Sequence, residues 1–204
     1  MEKAILEKRA HGFQCAVHYD SSPDSPREWD NLGVIYSNHR DVQPDKLTVM
    51  DSPAWSEEKG DWSAKELDKL GVWLPLSYYD HSCFRVSEDS PYTDSYRKWD
   101  SGCFGFIIAP YDKIRKEFGK KRISKQVREK TLEILRGEIK TLDAYLNGEV
   151  YGWTITDDRG ELVDSCWGYY GDINDIMDEC VEYAEAAAEE VAEMEIIACE
   201  VGRS

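Results

Sequence analysis

Short runs of β-branched and aromatic residues, separated by polar and turn-forming segments, recur along most of the chain. Such runs predict strands, because these side chains pack well on a pleated sheet. Pro75 lies inside one run and indicates an edge position or a bulge, since proline cannot donate to a β-ladder. Residues 157–160 (DDRG) are typical of a hairpin turn in which Gly160 takes a positive φ. The predicted strands are residues 13–20, 32–36, 72–79, 83–86, 103–109, 151–156 and 161–167.

Apolar residues at spacings of three and four predict helices. The best-defined helix covers residues 124–146, with Ser124 as its N-cap and Gly148 just beyond its C-terminus. Two shorter helices are expected over residues 63–71 and 111–118.

A last helix, predicted from about residue 172 to about residue 199, is amphipathic. Carboxylates recur every three or four residues along the face opposite its apolar stripe, which places neighbouring carboxylates roughly 5–6 Å apart. The apolar stripe consists of Ile173, Ile176, Met177, Cys180, Ala184, Ala187, Val191 and Met194. The carboxylates, which we call the acidic ridge, are Asp175, Asp178, Glu182, Glu185, Glu189 and Glu193.

The order of these elements predicts the fold class. Several strands, a helix, a hairpin and a final helix, without an internal repeat or a long linker, indicate a single α+β domain over residues 1–204. In such a fold an antiparallel sheet is covered by helices on one face. We expect the sheet to include residues 103–109, 151–156 and 161–167, with the 124–146 helix on that face.

The net charge of −16 is unevenly distributed. Residues 161–204 contain 13 acidic residues and one basic residue, which gives −12, whereas residues 113–136, the basic segment, contain 10 basic and 3 acidic residues, which gives +7. A strongly negative field repels nucleic acid and anionic membranes and favours a basic partner. The basic segment is either an internal counter-charge or a nucleic-acid-binding patch, and the acidic tail favours the counter-charge.

Two roles are open for the acidic ridge. One is structural, as a solvated face or as a face that packs near the basic segment, since repulsion between like charges costs a helix only a few tenths of a kcal/mol per pair. Alternatively it is a partner-binding surface, on which carboxylates replace the phosphates of a nucleic acid and face the lysines and arginines of a nucleic-acid-binding protein.

The cysteines and the chain's N-terminus predict the compartment. The six cysteines are widely and irregularly spaced, and none belongs to a CxxC pair. The first residues are charged and lack an apolar signal core, and the chain has no run of about 18 apolar residues. We therefore expect a cytoplasmic protein, without membrane contact, in which all six thiols are reduced.

Tryptophan, tyrosine, aspartate and glycine are concentrated in four short motifs near the ends of predicted strands. Aromatic and acidic side chains that line a concavity can hold a small ligand. The same residues can equally be core aromatics and turn glycines. The candidate pocket residues are Trp29, Asp30, Asp80, His81, Trp99, Asp100, Asp164 and Trp167.

An enzymatic role would use the imidazole of His81. The thiol of Cys83 could act with it in nucleophilic catalysis, or the two could bind a metal ion together with Cys103 or Cys166. Cysteine is more often a buried apolar residue, and the chain has no P-loop, dinucleotide fingerprint, HExxH or GxSxG motif. We expect no catalytic residue, cofactor or metal, and keep as an alternative an enzyme that uses His81 with Cys83 or Asp100.

The four motifs together resemble a family of proteins from bacteriophages and prophages. They are residues 25–33 (SPREWDNLG), 79–82 (YDHS), 99–107 (WDSG followed by GFI) and 164–171 (DSCWGYYG), and the resemblance extends over about residues 10–172. The acidic helix and the less basic run after Gly33 depart from it. The resemblance implies phage origin and expression in the bacterial cytoplasm, but no activity.

These observations lead to three hypotheses. The first is an acidic inhibitor that binds stoichiometrically, through the acidic ridge, to a basic host protein, namely a restriction or CRISPR nuclease, without contacting nucleic acid itself. The second is a binding protein, or sponge, for a small molecule or nucleotide signal that uses the candidate pocket residues. The third is the enzyme that uses His81.

Overall fold

A computed structural model of the chain describes residues 3–88 and 100–201; for residues 195, 196 and 198–201 it describes the backbone only. Antiparallel sheets and α-helices make up the fold, which confirms the predicted α+β class. The chain divides into two compact units, which we call the terminal unit (Met1–Asp24 with Gly148–Ser204) and the inserted unit (Ser25–Asn147). The prediction of one domain over residues 1–204 stays a prediction.

Ten strands and four α-helices are formed by the described residues. The strands are β1 (Leu6–Ala10), β2 (Phe13–Tyr19), β3 (Val34–Ser37), β4 (Trp55–Ser56), β5 (Asp61–Trp62), β6 (Gly71–His81), β7 (Cys83–Ser87), β8 (Ser101–Pro110), β9 (Tyr151–Thr156) and β10 (Leu162–Tyr169). The helices are α1 (Ala64–Leu70), α2 (Tyr111–Phe118), α3 (Lys125–Leu146) and α4 (Ile173–Val201).

The terminal unit is a four-stranded antiparallel sheet, in the order β1-β2-β9-β10, with α4 packed on one face. Alternate residues of β2 and β9 point towards the helix, and the first half of its apolar stripe covers them. The buried core consists of Cys15, Val17, Tyr151, Trp153, Ile155, Ile176, Met177, Cys180 and Ala184.

Helix α4 is longer than the sheet that supports it. Its 29 residues span about 43 Å, whereas the seven residues of β2 span about 23 Å. The predicted apolar stripe is therefore buried at Ile176, Met177, Cys180 and Ala184, whereas Val191 and Met194 are exposed.

The inserted unit is built on a second antiparallel sheet, in the order β3-β8-β6-β7. Helix α3 packs on one face, where Leu135, Ile139 and Leu142 join the core. On the other face, Val49, Ala54 and Leu67 cover Phe106 and Ile108 of β8. Strand β8 is thus buried on both faces, which explains why it is the most apolar run in the sequence.

The prediction of a single sheet is wrong in its strand pairing. Strand β8 belongs to the sheet of the inserted unit, whereas β9 and β10 form a hairpin in the terminal unit, where β9 also pairs with β2. Alternation of apolar and polar residues along a strand predicts its two faces but not the strand that pairs with it. The N-terminal strand β1 has no such alternation, and it was not predicted.

Predictions from local sequence features are more reliable than predictions of strand pairing. Ser124 caps α3, with its hydroxyl oxygen accepting a hydrogen bond from the Val127 N–H at 3.3 Å, and Gly160 has a φ of 79° in the β9–β10 turn. Pro75 pairs with β8 on one side only, because β7 joins β6 from Ser77 onwards, beside a bulge. These predictions are confirmed.

Candidate functional site

The acidic ridge lies on the face of α4 that points away from the sheet of the terminal unit. All six of its carboxylates are exposed. Asp178 lies 3.8 Å from the ammonium of Lys8, and both side chains are largely exposed. Among the described residues, the other five have no basic group within 4.0 Å. The ridge is thus a row of solvated negative charges with little internal compensation.

The ridge extends over a considerable length. From Asp175 to Glu193 the helix rises by about 27 Å, so the carboxylates follow one another at about 5 Å along the axis. One strand of duplex DNA presents a phosphate about every 3.4 Å. The ridge therefore offers a cationic surface a lower charge density than DNA does, but in a similar linear arrangement.

The first half of α4 is firmly attached to its sheet. The hydroxyl of Tyr169 donates a hydrogen bond to Glu179 Oε1 at 2.5 Å, and burial raises the pKa of that hydroxyl. Burial, assisted by the neighbouring thiol of Cys15, raises the pKa of Cys180 to about 12. Both cysteines are free, as are Cys83, Cys103 and Cys166. That all six thiols are reduced stays a prediction.

The 164–171 motif does not form one side of a pocket. Asp164 pairs with Ile155, whose side chain faces α4, whereas Trp167 pairs with Gly152 on the opposite face of the sheet. A β-carbon on Gly152 would lie only 2.1 Å from the Trp167 ring, so this glycine provides the space for the ring. The prediction that Asp164 and Trp167 share a ligand pocket is wrong, since they are three residues apart on one strand.

The 25–33 motif has a structural role, which sequence reasoning missed. The guanidinium of Arg27 is almost fully buried and binds Asp45 through Nε and Nη2, at 2.7 and 2.9 Å. It also binds Glu138 at 2.9 Å and the carbonyl of Gly33 at 2.8 Å. Glu138 in turn accepts the Leu32 N–H at 2.7 Å. The sequence contains no local signal for this cluster, because its carboxylates are distant along the chain.

The Arg27 cluster is electrostatically satisfied. Burial disfavours the positive charge, but hydrogen bonds and charge attraction from Asp45 and Glu138 outweigh that effect and raise the pKa of Arg27. Trp29 and Asp30 of the same motif line an open cavity of about 260 Å³ together with Lys113 and Ile134. The motif thus fixes the loop before β3.

Asp80, His81 and Asp100 lie together at the tip of the β6–β7 hairpin. His81 Nδ1 is 3.6 Å from Asp100 Oδ2, and the imidazole is mostly exposed. Cys83 is the register partner of His81, on the other side of Ser82, which has a φ of 58°. Among the described residues, this exposed tip provides no enclosed surface that would exclude water from a reaction.

The candidate pocket residues of the inserted unit do not converge. The hairpin tip lies where Ser101 pairs with Tyr79, at the start of β8, whereas the Trp29 cavity lies beside α2, which follows the end of β8. Ten residues of strand separate these two places. Trp99 lies outside the described residues. The prediction of one pocket that contains both Trp29 and His81 is therefore wrong.

The ion pairs of the basic segment involve carboxylates of the inserted unit. Arg136 binds Glu88 at 2.6 Å, Lys125 lies 3.7 Å from Glu129, and Arg128 lies 4.0 Å from Asp68. That the segment balances the acidic tail stays a prediction.

Comparison with known proteins does not identify a relative. Among the described helices, none is both long enough and apolar enough to cross a bilayer. Within the described part of the chain, no three histidine, cysteine or acidic side chains are grouped so as to hold a metal ion. No family model, curated protein or solved structure matches the chain.

Proposed function

We propose that the chain is a stoichiometric inhibitor that uses the acidic ridge to bind the basic nucleic-acid-binding surface of a bacterial antiviral nuclease of the restriction or CRISPR type. The observation that carries the proposal is the row of six exposed carboxylates along about 27 Å of α4, which form one weak ion pair with the described part of the chain. The resemblance to phage proteins supports the bacterial setting.

The ridge suits this role because its charges are preorganised. Helix α4 is held to the sheet by a buried core and by the Tyr169–Glu179 hydrogen bond, so the first carboxylates lose little freedom when a partner binds. Electrostatic complementarity of this kind accelerates association and selects cationic partners. The candidate pocket and the hairpin tip give less support to the ligand-binding and enzymatic alternatives, since their residues are dispersed or exposed.

The test neutralises the ridge without changing its shape. We expect the combined substitution of Glu182, Glu185, Glu189 and Glu193 with glutamine to leave the fold intact, because these side chains are exposed and glutamine has a similar helix propensity. Affinity for the nuclease should fall about tenfold or more, or roughly 0.3–0.4 kcal/mol per carboxylate, and its salt dependence should flatten.

A matched control removes the same charge elsewhere. Glutamine at the exposed positions Glu57, Glu58, Glu117 and Glu133 changes the net charge equally and should leave the affinity within about twofold. Binding is measured by titration of purified restriction and CRISPR nucleases at several salt concentrations, with displacement of a bound DNA duplex as the second readout. A ridge variant that binds as well as the parent at every salt concentration, or a nuclease that holds DNA and the chain simultaneously, would contradict the proposal.

A further inference from the structure

A second candidate site lies in the inserted unit, where the chain passes from α2 to α3. The two helices and their connection surround an open cavity of about 370 Å³, within the size range of small-molecule sites. Five cationic side chains line it, together with Tyr111, Ile123 and Ser124. They are Arg115, Lys121, Arg122, Lys125 and Arg128.

Little negative charge compensates this group. Arg115, Lys121 and Arg122 have no carboxylate within 4.0 Å among the described residues. The two ion pairs at the cavity, Lys125 with Glu129 and Arg128 with Asp68, are long and solvent-exposed, so they contribute little. Five like charges around one concavity repel one another, and an anion that binds between them would relieve this repulsion.

We propose that this cavity binds a small molecule that carries several adjacent phosphates. Guanidinium groups form paired hydrogen bonds with phosphate oxygens, and Arg115, Arg122 and Arg128 supply three of them at one cavity. The proposal does not rest on the acidic ridge or on the inhibitor role.

The size of the cavity favours a small anion over a nucleic acid. An open cavity of about 370 Å³ accommodates a compact polyphosphate, whereas a long polyanion would extend beyond the five cations. A compact polyphosphate experiences mainly the charges within one Debye length, about 8 Å at physiological salt, where the five cations outnumber the carboxylates of Glu129 and Asp68.

One wall of the cavity has apolar character. The hydroxyl of Tyr111 donates a hydrogen bond to the carbonyl of Asp68 at 2.9 Å, which holds the ring, and Ile123 lies in the same lining. A base or another flat group attached to the phosphates can contact this wall. We therefore use two probes, inorganic tripolyphosphate and ATP, to distinguish a bare polyphosphate from a nucleotide.

The experiment is a calorimetric titration of the full chain with each probe at about 0.15 M salt. We expect saturable binding of one equivalent, and the combined substitution Arg115→Gln, Lys121→Gln and Arg122→Gln should raise the Kd at least about tenfold. The matched control, Lys116→Gln, Lys130→Gln and Lys140→Gln, removes the same charge from exposed positions outside this cavity and should change the Kd by less than about twofold. All six positions are exposed, so both variants should fold.

Three outcomes would overturn the proposal. They are no saturable binding of either probe, equal weakening in the two variants, and tighter binding of a single-stranded oligonucleotide than of both probes. The last outcome would identify the cavity as part of a nucleic-acid surface. Tighter binding of ATP than of tripolyphosphate supports a nucleotide ligand, and equal binding supports a polyphosphate recognised through its phosphates alone.

Discussion

At the scale of single residues, Arg27 determines how the loop before β3 is held. Its guanidinium neutralises two carboxylates that are themselves buried, and their remaining lone pairs accept backbone N–H groups of residues 32–35. A buried charge network of this kind adds little when complete, but it is costly when one partner is removed. The loop geometry therefore depends on one side chain.

We expect Arg27→Ala to lower the free energy of unfolding by about 3–5 kcal/mol, because Asp45 and Glu138 would remain buried without their counter-charge. Arg40→Ala is the control, since Arg40 is 93% exposed and its ion pair is with neighbouring Asp41. That change should stay within about 0.5 kcal/mol. Urea denaturation measures both, and similar values for the two variants would show that the cluster is energetically unimportant.

Two glycines should respond oppositely to alanine. At Gly152 a β-carbon would meet the Trp167 ring, so Gly152→Ala should displace the ring and destabilise the terminal unit by about 1–3 kcal/mol. At Gly137, inside α3, a β-carbon meets nothing within 4 Å, so Gly137→Ala should stabilise the chain by about 0.5–1 kcal/mol. Thermal unfolding followed by circular dichroism distinguishes these signs, and destabilisation by both would contradict the assignment.

At the scale of elements, α4 has two halves with different environments. We expect Ile176→Ala to cost about 2–4 kcal/mol, because its side chain is 4% exposed in the core of the terminal unit. Met194→Ala should change stability by less than about 0.5 kcal/mol, since Met194 is 56% exposed. Chemical denaturation of both variants provides the measurement. A large loss at Met194 would mean that the second half of the helix is covered in solution.

The elements show which properties the sequence could predict. The faces of α4 as far as Ala184 and the limits of α3 follow from a local period and from a cap, and both were predicted correctly. The pairing of β9 with β2 and the contacts of Arg27 with Asp45 and Glu138 join residues far apart in the chain, for which a single sequence carries no signal. For the same reason, motifs that look alike in composition suggested one pocket although their residues lie apart.

At the scale of the whole molecule, the two units have separate cores. The buried clusters of the inserted unit contain only residues between Leu32 and Leu142. We therefore expect the fragment 25–147 to fold alone and to unfold cooperatively in urea, because its core is complete. The fragment 1–147 should add no cooperative structure, since β1 and β2 lack β9 and α4. A fragment 25–147 without a cooperative transition would contradict this division.

The pairing of Tyr19 with Tyr151 and the hydrogen bond from the Asp20 N–H to the Val150 carbonyl, at 2.8 Å, set an order of events during translation. Strand β2 leaves the ribosome early and its neighbour β9 only after the whole inserted unit, a delay of roughly ten seconds at about 10 residues per second. During that interval the nascent chain completes the inserted unit, while the β1–β2 hairpin exposes the edge of β2 whose backbone groups later pair with β9. Codon usage over residues 25–147, and chaperone access while they are translated, should therefore affect the folding yield of the terminal unit, which carries the acidic ridge. The folding yield of the inserted unit, which contains the cationic cavity, should be affected less.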